Sequence, residues 1–132
     1  ITVGEALDTE VTAVQEDQTL TQLIEVIKVS PRNHFPVVNP ETGELAGLLD
    51  LRSIQELLFD PDVARVTLIG TVMDVDPPTV ELSAPLAEAV RVFEDEGVWV
   101  LPVLEGTRFA GLISKSTLFD RYRKELSVQR TA

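Results

Sequence analysis

The sequence predicts an α+β (mixed α/β) fold made of two copies of one unit, each running strand, helix, strand, strand, helix. The first observation behind this is an echo: "AGLLDLRSIQELLF" at 46–59 returns as "AGLISKSTLFDRYRK" at 110–124. The second is register. Setting Pro36 on Pro102 gives an offset of 66 (102 − 36) that holds without a gap from Val3 to Val38, so Gly4 meets Gly70, Asp8 meets Asp74 and Val14 meets Val80. The third is size: 132 residues, 44% of them hydrophobic, suffice for one compact domain or two small halves sharing a core. The expected division is residues 1–66 for the first repeat with its connection, and 67–132 for the second repeat with a C-terminal helix.

Each element follows from its own pattern. Val11–Val14 and Thr79–Leu82 are short β-branched runs suited to a strand. Asp17 and Ser83 then stand at equivalent positions, where a short side-chain oxygen can cap a helix. Leu20, Leu23, Ile24 and Ile27 in one copy, and Leu86, Ala89, Val90 and Phe93 in the other, have the i, i+3, i+4, i+7 spacing of a helix with one buried face. "FPVV" and "LPVL" read as short buried strands, with the proline at an end or edge because it cannot donate to a ladder. A Gly-containing turn leads to the second strands "LAGLL" and "FAGLI", after which a closing helix is expected with Asp50 or Ser114 as its cap. Past the loop the offset drops to 64 (111 − 47), since "NPETGEL" is two residues longer than "EGTRF". "DPDVARVTLIG" and "VMDVDPP" read as the connection. Neither copy alone offers apolar faces for a full core, so the two should pack together about a pseudo-twofold axis with clefts between them.

Charge removes several function classes. The 22 acidic and 11 basic residues give a formal net charge of −11, which argues against nucleic acid and against an anionic membrane surface. No apolar run approaches the roughly 18–20 residues of a membrane span. The absence of cysteine excludes disulfides and thiolate ligands. The chain starts at Ile1 without a charged-then-apolar leader, so an excised segment of a longer protein is expected.

The tandem unit resembles a CBS domain pair, the Bateman module. The features that carry the resemblance are "TVMDVDPPTVEL", the strand prolines of "HFPVV" and "VLPVL", and the terminal "GLLDLRSI" and "GLISKSTL". Within that family "VWVLPV" and "SKSTLFDRYRKEL" look most like the cytoplasmic pair that follows the membrane part of prokaryotic ClC-type chloride channels and transporters. The resemblance implies a regulatory domain on the cytoplasmic side of the cell membrane, a homodimer, and a parent transmembrane domain modulated through the interface. Its alternatives are an adenine-nucleotide sensor attached to a cytosolic enzyme or another transporter, and a purely structural dimerisation unit.

The resemblance also implies a regulatory ligand, ATP, ADP or AMP, in the clefts. The family pattern places Ser or Thr after the last strand, with Asp three residues on. The chemistry is direct: a hydroxyl and N–H groups at a helix start suit phosphate, and a carboxylate accepts ribose hydroxyls. Here Ser114 keeps the hydroxyl but Thr117 replaces the Asp, while the first copy has Asp50 and Ser53. By resemblance one cleft combines Val11, Thr12, Ala13, Arg32, Asn33 and His34 with Ser114, Lys115 and Thr117. The other would use Asp50, Ser53, Pro78, Val98, Trp99 and Val100. The first is favoured, because a carboxylate at Asp50 would repel phosphate and serves better as a plain cap.

No catalytic constellation emerges. His34 is the sole histidine and reads as a packing or surface residue; Trp99 reads as filling an interface or cleft mouth. "FEDEG" at 93–97 reads as a solvated helix end closed by Gly97, and no metal site is assigned.

Overall fold

The protein is described here by a computed structural model covering residues 1–131, with side chains through Val128. Ala132, the last residue of the expected second repeat, lies outside the described residues. The chain forms two compact units, Val11–Pro77 and Ile1–Glu10 with Pro78–Ala132.

In the unit Val11–Pro77, helix α1 spans Leu20–Ile27. Leu20 and Leu23 are buried, and Ile24 and Ile27 pack half-buried against the same core. The cap is Thr19, not Asp17. Thr19 Oγ1 accepts the Gln22 N–H at 3.2 Å, and Gln22 Oε1 accepts the Thr19 N–H at 2.8 Å, which makes a reciprocal capping box. The start is delayed because residues 16–18 are already committed: the Glu16 and Gln18 carbonyls accept N–H groups from Gly70 and Ile69 at 3.0 and 2.9 Å.

Strand β1, His34–Val38, pairs antiparallel with β2, Leu45–Asp50, and a bulge leaves Ala46 between the Val37↔Gly47 and Val38↔Leu45 pairs. The expected strand at Val11–Val14 shrinks to one parallel bridge, Val14↔Val37. Pro36 is therefore mid-strand and not at an end. Its carbonyl accepts the Val14 N–H at 2.9 Å, and the Val38 N–H donates to Val14 at 2.9 Å. The missing proline N–H falls on that flank below the last rung, so no ladder bond is lost. On the other edge Leu48 and Asp74 exchange two backbone bonds, 3.0 and 2.9 Å. This crossing explains Gly47, since a Cβ there would lie 2.5 Å from the Asp74 carbonyl.

The closing helix of this copy is broken. A 3-10 turn, Leu51–Ile54, leads into α2, Gln55–Leu58, and then α3, Pro61–Val66. Asp60 Oδ1 caps α3 by accepting from Asp62 and Val63 at 3.1 and 3.3 Å, with Pro61 at the first helical position, where its lack of N–H costs nothing. Part of the expected connection is thus helical. Phe35, Leu49, Ile54 and Ile69 complete the core.

The other unit repeats the plan. Strand β3, Val80–Glu81, lies parallel to β4, Val100–Glu105, and β4 pairs antiparallel with β5, Arg108–Ser114, with the bulge now at Ala110. Helix α4, Leu86–Glu96, has no side-chain cap; its N-cap is Pro85, and Ser83 lies two residues upstream. The Leu86 N–H donates instead to the Ile1 carbonyl at 3.1 Å. Gly97 ends α4 as expected, with φ +66° and its N–H on the Phe93 carbonyl at 3.0 Å. Asp8 and Leu112 exchange bonds of 2.8 and 3.0 Å as Asp74 and Leu48 do, and a Cβ on Gly111 would sit 2.7 Å from the Asp8 carbonyl. The unit closes with an unbroken α5, Lys115–Thr131. Val3, Leu86, Phe93, Leu101, Ile113 and Leu118 lie in its core.

Candidate functional site

The last strand of each repeat delivers its final residue to the start of a helical segment, and one backbone bond sets the geometry in both. The Leu51 N–H donates to the Asn33 carbonyl at 3.0 Å, and the Lys115 N–H donates to the Trp99 carbonyl at 2.8 Å. Each expected phosphate-side residue is thereby held against the residue that precedes the central strand. The side chains on this shared frame differ.

In the second copy Ser114 Oγ accepts the Thr117 N–H at 3.3 Å and donates to Thr117 Oγ1 at 2.9 Å. Both hydroxyls stand together at the start of α5, with no carboxylate bonded to either among the described residues. Trp99 is 62% exposed. Lys115 Nζ lies 4.9 Å from the centre of its ring, a cation–π contact that occupies one face of the indole. Val98 and Val100 are half-buried beside it and Pro78 is half-buried at the start of the unit.

In the first copy Asp50 Oδ1 accepts the Arg52 N–H at 3.0 Å, and Ser53 Oγ donates to the Asp50 carbonyl at 2.7 Å. The carboxylate is flanked by His34 Nε2 and Arg52 Nε, each 3.8 Å away. Burial holds the His34 imidazole below its ordinary value; the Asp50 charge opposes that shift and Arg52 adds to it. Asp50 is thus a cap and the ion-pair partner of Arg52, with the His34 imidazole beside it.

The structure places Val11, Thr12, Ala13, Arg32, Asn33, His34, Asp50 and Ser53 in one compact unit, and Pro78, Val98, Trp99, Val100, Ser114, Lys115 and Thr117 in the other. Within the units it joins residues that the sequence had assigned to different clefts: Trp99 with Lys115, and His34 with Asp50. Val11 and Thr12 are half-buried, while Ala13, Arg32 and Asn33 are exposed. Arg52 was missed by sequence reasoning. Its only signal was a position two residues after a capping Asp. Among the described residues no group of three or more His, Asp or Glu is placed to hold a metal, and no helix is long and apolar enough to cross a membrane.

Comparison with known proteins puts this arrangement in context. Residues 3–60 and 69–124 match the sequence profile of the CBS domain. A CBS domain-containing protein of Dictyostelium discoideum is 26% identical over 96% of this chain and 94% of its own length. The glycine betaine/carnitine/choline transport ATP-binding protein OpuCA of Bacillus subtilis is 28% identical over 81% of the chain, which spans 27% of that protein. A CBS domain-containing protein of unknown function from Bacillus anthracis superposes with a TM-score of 0.82 at 20% identity, over 94% of both chains. CBSX2 in complex with AMP gives 0.77 at 18% identity, over 97% and 98% of the two chains. The cytosolic domain of the Mg2+ channel MgtE in complex with ATP gives 0.77 at 23% identity, over 90% of this chain and 48% of that one.

Proposed function

The chain belongs to the CBS domain family as a tandem pair of repeats, and from that premise we propose that it is a regulatory module without chemistry of its own that senses an adenine nucleotide at the start of α5. The carrying observation is the hydroxyl pair Ser114–Thr117, bonded at 2.9 Å, at the one repeat end without a carboxylate cap. A phosphate there meets a hydroxyl, helix N–H groups and the nearby Lys115. At Asp50 the same phosphate would meet a carboxylate already flanked by His34 and Arg52. Val11, Thr12, Ala13, Arg32, Asn33 and His34 are proposed as the remaining members of this nucleotide site, by family resemblance. The bound AMP and ATP of two structural relatives support the ligand class.

For the parent protein we propose a membrane transport system, in the finer form a ClC-type chloride channel or transporter, with the pair acting as a homodimer on the cytoplasmic side. The motifs "VWVLPV" and "SKSTLFDRYRKEL" support the ClC form, and the transport roles named for two relatives favour transport over a cytosolic enzyme. A full-length gene encoding no hydrophobic membrane domain would overturn the parent assignment.

Thermal shift and calorimetry with ATP, ADP and AMP test the ligand. Binding that Ser114→Ala weakens about five- to tenfold is the expected result, beyond the modest fall in melting temperature that loss of this helix cap, about 1 kcal/mol, brings to the free protein. No shift with any of the three at millimolar concentration sinks the nucleotide proposal.

A further inference from the structure

Trp99 and Lys115 make a pair that the frame itself does not need. In the first copy the same backbone bond joins the Leu51 N–H to the Asn33 carbonyl at 3.0 Å, with neither an aromatic ring nor a cation at those two positions. Trp99, the only tryptophan of the chain, is no part of its unit's apolar core and stands 62% exposed. Burial therefore does not explain it.

Lys115 is equally out of place as a stabilising residue. It is the first residue of α5, where the helix dipole favours an anion and opposes a cation. It is half-buried, and among the described residues no carboxylate pairs with it. What it has is the indole face, with Nζ 4.9 Å from the ring centre, inside the roughly 6 Å reach of a cation–π contact. Trp99 holds this residue twice, since its carbonyl also accepts the Lys115 N–H at 2.8 Å. A contact with one ring face leaves ammonium N–H groups directed away from the ring, open to an oxygen acceptor.

A mobile lysine side chain gives up much of its rotamer freedom on gripping a phosphate. One already confined against a ring gives up less, and the complex is tighter to that extent. We infer that Trp99 is a positioning residue of the proposed nucleotide site: it holds the ammonium of Lys115, the residue next to Ser114, ready for the phosphate bound at the start of α5. It acts through Lys115 and not on the base. This role rests on the adenine-nucleotide proposal and deepens it.

The test is calorimetry on the full chain with AMP, ATP and, as the phosphate-free control, adenosine. The variants are Trp99→Ala, Trp99→Phe, Lys115→Ala and the Trp99→Ala, Lys115→Ala double variant, with Ser114→Ala for reference and circular dichroism to verify folding. Trp99→Ala should weaken AMP and ATP about two- to fivefold and leave adenosine unchanged, and Trp99→Phe should recover part of the loss. Once Lys115 is alanine, the Trp99 substitution should have no further effect; that cycle decides the matter even if adenosine binds too weakly to measure. Equal weakening of adenosine and AMP, a full loss in the absence of Lys115, or tighter nucleotide binding by Trp99→Ala would each overturn the positioning role. Nucleotide binding that responds to Ser114→Ala but not to Trp99→Ala overturns that role alone and leaves the nucleotide proposal standing. No binding of AMP or ATP to the parent chain overturns both.

Discussion

The two repeats carry the same backbone and different site chemistry. Both leading segments pair in the same places, through Val3 and Gly4 in one unit and Ile69 and Gly70 in the other, with bonds of 2.9 to 3.0 Å throughout. Both hairpins bulge at the same alanine, and both keep the strand-to-helix bond made by the Asn33 or Trp99 carbonyl. Yet the first copy has His34, Asp50 and Arg52 where the second has Val100, Ser114 and Ser116. The first pairs its carboxylate with Arg52 and its closing helix is broken at Asp60–Pro61; the second carries a hydroxyl pair at the start of an unbroken helix. The difference teaches that the scaffold depends on apolar side chains and main-chain bonds. Side chains at the strand ends were free to diverge because they do not hold the frame.

The largest test of that equivalence is in the cores. Phe35 and Phe93 are both fully buried, each in its own cluster. Phe35→Ala and Phe93→Ala should each cost about 3–5 kcal/mol, with hydrogen exchange accelerated chiefly in the unit that holds the substituted residue. Equal loss of protection in both units would break the picture of two separately cored copies. A smaller cost is expected where leading segments cross the hairpins. Gly47→Ala and Gly111→Ala place a Cβ against the Asp74 and Asp8 carbonyls, and should each lower stability by about 1–3 kcal/mol, read from urea midpoints. A neutral outcome at either glycine would mean that crossing yields easily.

The smallest effect separates the copies by pH. His34 is held below its ordinary 6.5, chiefly by burial. As the unfolded chain then takes the proton first, the stability contributed by neutral His34 is complete above 6.5 and is lost as the pH falls from there through the lower folded value. Urea midpoints at about pH 7.5 and 5.5 should show a decline that His34→Asn reduces. Val100, its counterpart, predicts no such contribution from the second copy, so a decline unchanged in the variant would refute the assignment to His34.

Much of the frame was legible because it depends on period and register. The apolar spacing located α1 and α4, and alignment of Pro36 with Pro102 located the central strands. The capping assignments at Asp17 and Ser83 failed for a reason outside local sequence: their neighbours' carbonyls are occupied by Ile69, Gly70, Val3 and Gly4, which postpones the helix by two residues. Helix α3 did carry a local signal, an Asp-Pro pair at its start, which was read as a connection. At the site, Ser114 as a cap was visible from residue type. The Trp99–Lys115 contact was not, since its members lie sixteen residues apart in sequence (115 − 99) and meet only through strand pairing.

By itself, then, the sequence determined the duplication, the α+β class and the order of elements, because these depend on residue identity and spacing along the chain. Only the tertiary structure decided that the first ten residues complete the core of the second repeat, that Gly47 and Gly111 are passages for a crossing backbone, and that Asp50 pairs with Arg52 while Ser114 pairs with Thr117. Those facts depend on which distant groups exhaust each other's hydrogen bonds and charges, and that is settled by proximity in space.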